Sequence, residues 1–232
     1  MKYLICTFYG ALQSWGVVLP GRIRPTDDHP TKSGSIGVAG CCLGVPRGDP
    51  QMDVLNQNLG FACRMDAPGQ PYKDYQTAQM PKPKGKRGQN DGENGESNTI
   101  EIFKDYLAGA AFTVCFWAKT GEVNLEEIRD AMNSPKISPC LGRWNCPVGW
   151  PLNPEIVEAD DPIQAMAKRE PPSMIQGLLK KTPVYWEGNA SVDPLRSGMR
   201  RDQVTSIKTR SFKSRLEHMA IVERGVACSK QS

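Results

Sequence analysis

Histidine is scarce in this 232-residue sequence: His29 and His218 are the two. Their separation leaves little room for histidine-based acid–base chemistry. Among eight cysteines there is no Cys-x-x-Cys pair. Cys41 and Cys42 are adjacent, and the closest other pair, Cys140 and Cys146, lacks the further ligands a zinc site needs, so no metal and no cofactor is expected. A Gly-x-Ser-x-Gly nucleophile elbow is absent. Pro30-Thr-Lys-Ser-Gly34 carries Thr31 where a Walker phosphate loop needs glycine, so nucleotide hydrolysis is not supported. No apolar run approaches the roughly twenty residues of a membrane span, so no membrane partner is expected. The run Tyr3 to Tyr9 follows a single lysine and has no small-residue cleavage site; it reads as a buried first strand rather than a signal peptide.

What is present points elsewhere. Cys6, Cys41, Cys42, Cys63 and Cys115 sit in apolar runs and read as small core residues of a reducing cytoplasm. The formal net charge is +4, and its placement is uneven. Arg196, Arg200, Arg201, Lys208, Arg210, Lys213 and Arg215 crowd one segment against the lone acid Asp202. Lys82, Lys84, Lys86 and Arg87 form a second cluster. Such clusters suit a phosphate backbone, or else a solvated face.

Lys2 to Tyr9 is rich in β-branched and aromatic residues and predicts a strand. Val17 to Pro30 reads as a loop. Ser33 opens a helix in which Ile36, Ala39, Cys42 and Leu43 recur at helical spacing, ended by Gly44 and Pro46. Asp53 to Leu59 predicts a short helix and Gly60 to Met65 a second strand. From Pro68 to Thr99 the composition turns polar, as in a long hairpin with its tip near Lys82 to Ser97. Thr99 to Phe103 and Ala110 to Ala118 predict strands, Asn124 to Met132 a helix. Pro135 to Pro154 is proline-rich and irregular. Asp160 to Lys168 predicts a short helix, Pro183 to Trp186 a strand, and Gln203 to Glu223 strand-like segments carrying arginines. The whole reads as α+β.

The sharpest local signal is Pro30 to Gly34. Lys32 and Ser33 beside the free N–H groups of a helix start make an anion site, or simply a helix capped by Ser33. Asp160-Asp161 before Pro162 reads as a helix cap. Tyr72, Lys73 and Tyr75 suit metal-free RNA cleavage on one reading, and stacking with phosphate pairing on the other.

Taken in order, the motifs resemble one family. Leu12-Gln-Ser-Trp-Gly16 looks like its strand-to-turn signature. Arg24-Pro-Thr26, Pro30-Thr-Lys-Ser-Gly34 and Gly37 to Gly44 resemble its arginine-threonine loop and following helix. Asp74-Tyr-Gln-Thr77 is similar to a hairpin motif with Gln76 in place of histidine, and Tyr106 to Phe112 to a segment with Gly109 in place of aspartate. Leu141-Gly-Arg143, Cys146-Pro147 and Pro151-Leu152 resemble its proline-rich segment, where Trp144-Asn145 replaces a basic-serine pair. Arg201-Asp202 and Arg210-Ser-Phe-Lys-Ser-Arg215 resemble its C-terminal arginine motif. The family is CasD, RAMP-type CRISPR-associated proteins of subtype I-E Cascade.

The resemblance implies a ferredoxin-like (RRM-like) palm, residues 1–67 and 107–232, with a protruding β-hairpin thumb at 68–106. It implies a non-catalytic subunit that binds and caps the 5′ handle of CRISPR RNA. That subunit bridges the Cascade large subunit to the CasC-type backbone subunits, near the PAM-proximal end of target DNA, in antiviral defence. A metal-independent endoribonuclease of precursor RNA, as in subtype I-C, is the alternative. No residue is expected to be catalytic. The expected RNA contacts are Gln13, Ser14, Trp15, Arg22, Arg24, Thr31, Lys32, Ser33, Tyr75, Arg143, Arg210 and Arg215. Lys82, Lys84, Lys86 and Arg87 are expected to touch nucleic-acid backbone from the thumb. For Trp15 the other reading is a core aromatic, and for Arg210 and Arg215 a structural ion pair.

Overall fold

The computed structural model describes residues 1–16, 21–79, 99–175, 181–206 and 208–223. Its first strand, β1 (Lys2–Tyr9), is covered on both faces. Leu4, Cys6 and Phe8 enter one core, and Tyr3 and Ile5 the other. That is why the run is apolar throughout rather than alternating. Four two-residue strands follow: β2 (Leu12–Gln13), β3 (Trp15–Gly16), β4 (Ile23–Arg24) and β5 (Thr26–Asp27).

Helix α1 (Lys32–Leu43) begins one residue earlier than the sequence suggests. Thr31, not Ser33, is its N-cap: the Thr31 backbone is extended and its Oγ1 accepts the Gly34 N–H. Gly44 ends the helix in the left-handed region at φ 76°. Helix α2 (Pro50–Asn58) likewise starts early, because Asp49 caps it and Pro50 fits its first turn. It runs directly into β6 (Leu59–Ala67). Strands β7 (Gln70–Gln79) and β8 (Thr99–Ala108) pair in register from Gln70 opposite Ala108 to Gln79 opposite Thr99. Then come β9 (Ala111–Ala118), α3 (Leu125–Asn133, capped by Asn124), β10 (Glu155–Glu158) and α4 (Pro162–Ala167, capped by Asp161). The last strands are β11 (Lys181–Trp186), β12 (Arg196–Ser206) and β13 (Ser211–Glu223).

One sheet runs in the order β10-β1-β9-β6-β11-β13-β12, with antiparallel neighbours. Its first half is a strand-helix-strand-strand-helix-strand unit wound fourth-first-third-second. Helices α1, α2 and α3 cover one face, burying Phe8, Phe61, Phe112, Phe116, Ile128 and Met132. Each such side chain contributes roughly 1.5–3 kcal/mol. The short α4 covers part of the other face over Ile5, Cys115 and Trp186. The fold is therefore mixed and strand-rich. No helix among the described residues is long and apolar enough to cross a membrane.

Two features lock the layers. On the α4 face, Arg64 is buried and donates Nε to Asp66 (2.7 Å), Nη1 to the Met166 carbonyl (2.6 Å) and Nη2 to the Arg169 carbonyl (2.8 Å). Asp66 also accepts from Thr113 Oγ1 at 2.6 Å. Strands β6 and β9 thereby hold the C-terminal end of α4 and the residues just after it. The second feature is a bulge in β12: Arg200 pairs with Arg215 but Gln203 with Lys213, so one extra residue is accommodated. Alternation breaks there, and Asp202, Gln203 and Val204 are all buried.

Replacing Arg64 with leucine would leave the Asp66 carboxylate buried without its cation. We expect a loss of about 3–5 kcal/mol in urea unfolding; a loss below about 1 kcal/mol would contradict a buried lock.

Candidate nucleic-acid interface

The residues singled out in the sequence fall into an enclosed set and an exposed set. Gln13 Nε2 donates to the Ala110 carbonyl (2.6 Å), and its Oε1 accepts from Trp15 Nε1 (3.1 Å). Trp15 stacks on Phe8 with centroids 5.8 Å apart and planes 12° apart. Ser14 Oγ donates to the Asp105 carbonyl at 3.1 Å. All three are buried. They fasten the entry strands to β8 rather than face outward, which withdraws them as direct RNA contacts.

The same holds at the start of α1, where the anion site is filled from within. The Lys32 N–H donates to Asp202 Oδ2 at 2.8 Å, so a carboxylate occupies the place expected for phosphate. Lys32 Nζ is buried with Glu187 (2.9 Å) and Gln203 (2.7 Å). Desolvation pulls the Lys32 pKa down to about 8, with Glu187 opposing. Lys119 reaches the same Glu187 from the surface at 2.6 Å. Thr31 is spent as the cap.

Arg215 is likewise internal. Its Nε and Nη2 donate to Asp202 at 2.7 and 3.0 Å, and Nη2 also donates to Glu217. Burial penalises its charge, but Asp202 and Glu217 outweigh that and raise its pKa. Arg200 extends the ladder to Glu217 (3.0 Å) and Asp27 (2.6 Å), and its Nη1 also contacts His29. Asp27, Asp28 and His29 group their ligand atoms closely enough for a cation, and the Arg200 guanidinium is the cation already among them. Lys32, Thr31 and Arg215 thus hold the fold together, and their expected phosphate contacts are withdrawn.

Arg143 is a clamp. Its Nη1 donates to the Asp105 carbonyl (3.2 Å), its Nη2 to the Arg24 carbonyl (2.7 Å), and its guanidinium lies 4.9 Å from the Tyr106 ring centroid.

Exposed are Arg22, Arg24, Tyr75 and Arg210, with Ser33 half-buried. Lys82, Lys84, Lys86 and Arg87 lie outside the described residues. The register gathers most of the exposed set onto the two faces of one hairpin. Strand β4 lies parallel to β8, with Ile23 beside Phe103 and Arg24 beside Lys104. Strand β8 sets those residues opposite Tyr75 and Asp74 of β7. Cross-strand partners share a face. One face of the hairpin therefore carries the row Ile23-Phe103-Tyr75. The other carries Arg24-Lys104-Asp74 and, two residues along, Tyr106-Tyr72. Tyr75 packs on Phe103 at 5.3 Å, and Tyr72 lies 6.3 Å from Tyr106. Aromatic faces interleaved with cations suit single-stranded nucleic acid. Ile23, Phe103 and Lys104 went unnoticed in the sequence, because only the register shows that they line up with Tyr75 and Arg24.

The same surface is poorly equipped for acid–base chemistry. Tyr75 Oη donates to Glu101 at 2.9 Å, a hydrogen bond that raises the phenol's pKa. Lys73 faces Asp105 at 3.9 Å. His29 stacks on Tyr185 at 3.6 Å and meets Asp28 and Glu217, while His218 meets Ser197 at 2.7 Å. Both histidines are engaged at β11–β13, not at the hairpin.

Comparison with known proteins defines the class. A family model described as CRISPR-associated protein (Cas_Cas5) matches residues 3–221. The chain belongs to this CasD/Cas5 family. Among its relatives is the CRISPR system Cascade subunit CasD of Escherichia coli (strain K12). It is 32% identical over 182 residues, 73% of this chain and 78% of the relative. A chain of a solved CRISPR RNA-guided surveillance complex superposes with a TM-score of 0.67 at 25% identity, covering 96% of this chain and 90% of that one. A crystal structure of a Cas protein shares the fold, with a TM-score of 0.59 at 19% identity over 96% and 95% of the two chains.

Two outcomes follow from the buried charges. Asp202→Ala leaves the buried Arg215 guanidinium to Glu217 alone and removes the acceptor for the Lys32 N–H; we expect a loss of about 3–5 kcal/mol in urea unfolding. Lys32 keeps its proton up to about pH 8 when folded and to its ordinary 10.5 when unfolded. Between those values the unfolded chain binds more protons, so stability should rise with pH across that window. Denaturation at stepped pH should show this rise, and Lys32→Met should flatten it.

Proposed function

We propose that the chain is a non-catalytic subunit of a type I-E Cascade complex, which binds and caps the 5′ handle of CRISPR RNA. On this reading the fourth-first-third-second unit, with its C-terminal strands, is the ferredoxin-like RAMP palm, residues 1–67 and 107–232. The β7–β8 hairpin is the thumb, residues 68–106. The observation that carries it is the hairpin: exposed Tyr72 and Arg24 with half-buried Lys104 on one face, exposed Tyr75 on the other, aligned across three strands whose root is fixed by buried Gln13 and Trp15 and half-buried Arg143.

The contact set is accordingly narrower than the motifs imply. Arg22, Arg24, Ser33, Tyr75 and Arg210 remain its members on the described residues, Arg143 being taken up by the Asp105 and Arg24 carbonyls, with Lys82, Lys84, Lys86 and Arg87 retained as thumb contacts. Bridging of the large subunit to the backbone subunits, and a position near the PAM-proximal end of target DNA in the cytoplasm, belong to the same reading. Engagement of both histidines away from the hairpin supports binding without cleavage.

The test is a binding assay with labelled precursor RNA in EDTA, run beside a denaturing gel. Retained 5′-handle binding with intact RNA is the expected result. A single metal-independent cut at the base of the repeat hairpin would make the chain the processing nuclease instead. Arg22→Gln with Arg24→Gln should weaken handle binding across sequences. Each lost phosphate contact should lower the slope of log affinity against log salt by about 0.7–1.

A further inference from the structure

The loop between α3 and β10 contains a tryptophan that the fold displays rather than uses. Trp144 is 86% exposed, the most exposed large apolar side chain among the described residues. Burying an aromatic of this size would remove roughly 150–250 Å² from water, so leaving it out needs a reason.

Its surroundings are rigid on both sides. Cys140 bridges to Pro147, Leu141 N–H donates to the Cys146 carbonyl at 2.7 Å, and Cys146 N–H to the Arg143 carbonyl at 2.9 Å. Gly142 sits at φ 92° against the entry strand; a Cβ there would lie 1.7 Å from the Ser14 carbonyl oxygen. The residue before Trp144 is the Arg143 clamp. The residue after it, Asn145, donates Nδ2 to Tyr106 Oη at 2.9 Å. A loop pinned at both neighbours fixes the Trp144 backbone before any partner arrives, which removes the backbone share of the ordering cost of binding.

Chemistry around the indole favours a nucleobase over a protein pocket. Tyr106, held by Asn145 and Arg143, shares its face of the hairpin with exposed Tyr72 and Arg24 and half-buried Lys104. Arg143 is bonded to the Arg24 carbonyl itself. An aromatic plane beside cations, set among polar residues, fits a base flanked by phosphates better than an aliphatic partner surface. We infer that Trp144 stacks on an unpaired base of the RNA held by this hairpin face, adding a contact at a position where the motif of the family carries a basic-serine pair. This inference rests on the RNA-binding reading above.

The experiment titrates labelled single-stranded 5′-handle RNA into the full chain, its Trp144→Ala and its Trp144→Phe variants, at several salt concentrations. Trp144→Ala should bind about 5- to 100-fold more weakly with an unchanged salt slope, and Trp144→Phe should retain most of the affinity. Quenching of tryptophan fluorescence by RNA should shrink in Trp144→Ala. Equal affinity of Trp144→Ala and wild type would overturn the inference while leaving RNA binding intact. Equal affinity together with failed assembly onto partner subunits would reassign Trp144 to a protein contact. Failure of the wild-type chain to bind the RNA would remove the RNA-binding reading, and this inference with it.

Discussion

One carboxylate ties the outer strands of the sheet to the first helix. Asp202 accepts from the first N–H of α1 and, bidentately, from Arg215 of the neighbouring strand. A bare carboxylate at this depth would be costly; with two partners of opposite polarity it is stable, and it pins β12 and β13 to the helix start. The buried Lys32 side chain leaves that same helix turn to meet Glu187 and Gln203. Arg200 carries the ladder outward to Asp27 in the segment leading into α1. The C-terminal strands are thus joined to the first helix by charge as well as by packing.

Strands and helices with one strong period were legible in the sequence. β1 and β9 are buried on both faces and announce themselves as apolar runs, and α3 shows Leu125, Ile128 and Met132 at helical spacing behind Asn124. Helix starts were less legible, since Thr31 and Ser33 are chemically similar caps and only the backbone at Thr31 decides between them. The arginine-rich end was read as a surface footprint. Arg215 is instead an interior cation, because antiparallel register sets Arg200 beside Arg215 and brings Asp202 and Glu217 between them. Register is a tertiary property, and no local pattern encodes it.

The candidate interface shows the converse. Its members looked scattered, in a loop, a hairpin and a proline-rich stretch. The parallel pairing of two-residue β4 with β8 gathers them, with Arg143 drawing the third segment against both. Gln13, Ser14 and Trp15 serve this surface from beneath: their hydrogen bonds tie the entry strands to Asp105 of β8 and to Ala110 beyond its end. Motif positions can therefore be essential to an interface through the carpentry beneath it.

The bulge in β12 has a consequence for how the molecule behaves in a crowd. β12 is an outer strand of the sheet and runs eleven residues, long enough to template an added strand from another molecule. The extra residue beside Arg200 interrupts its row of open hydrogen-bonding groups, and exposed Arg196 and Arg201 place positive charge along it. A second copy approaching edge to edge would meet a broken register and like charge. The distortion that turns Asp202 inward thus also guards against self-association into extended sheets.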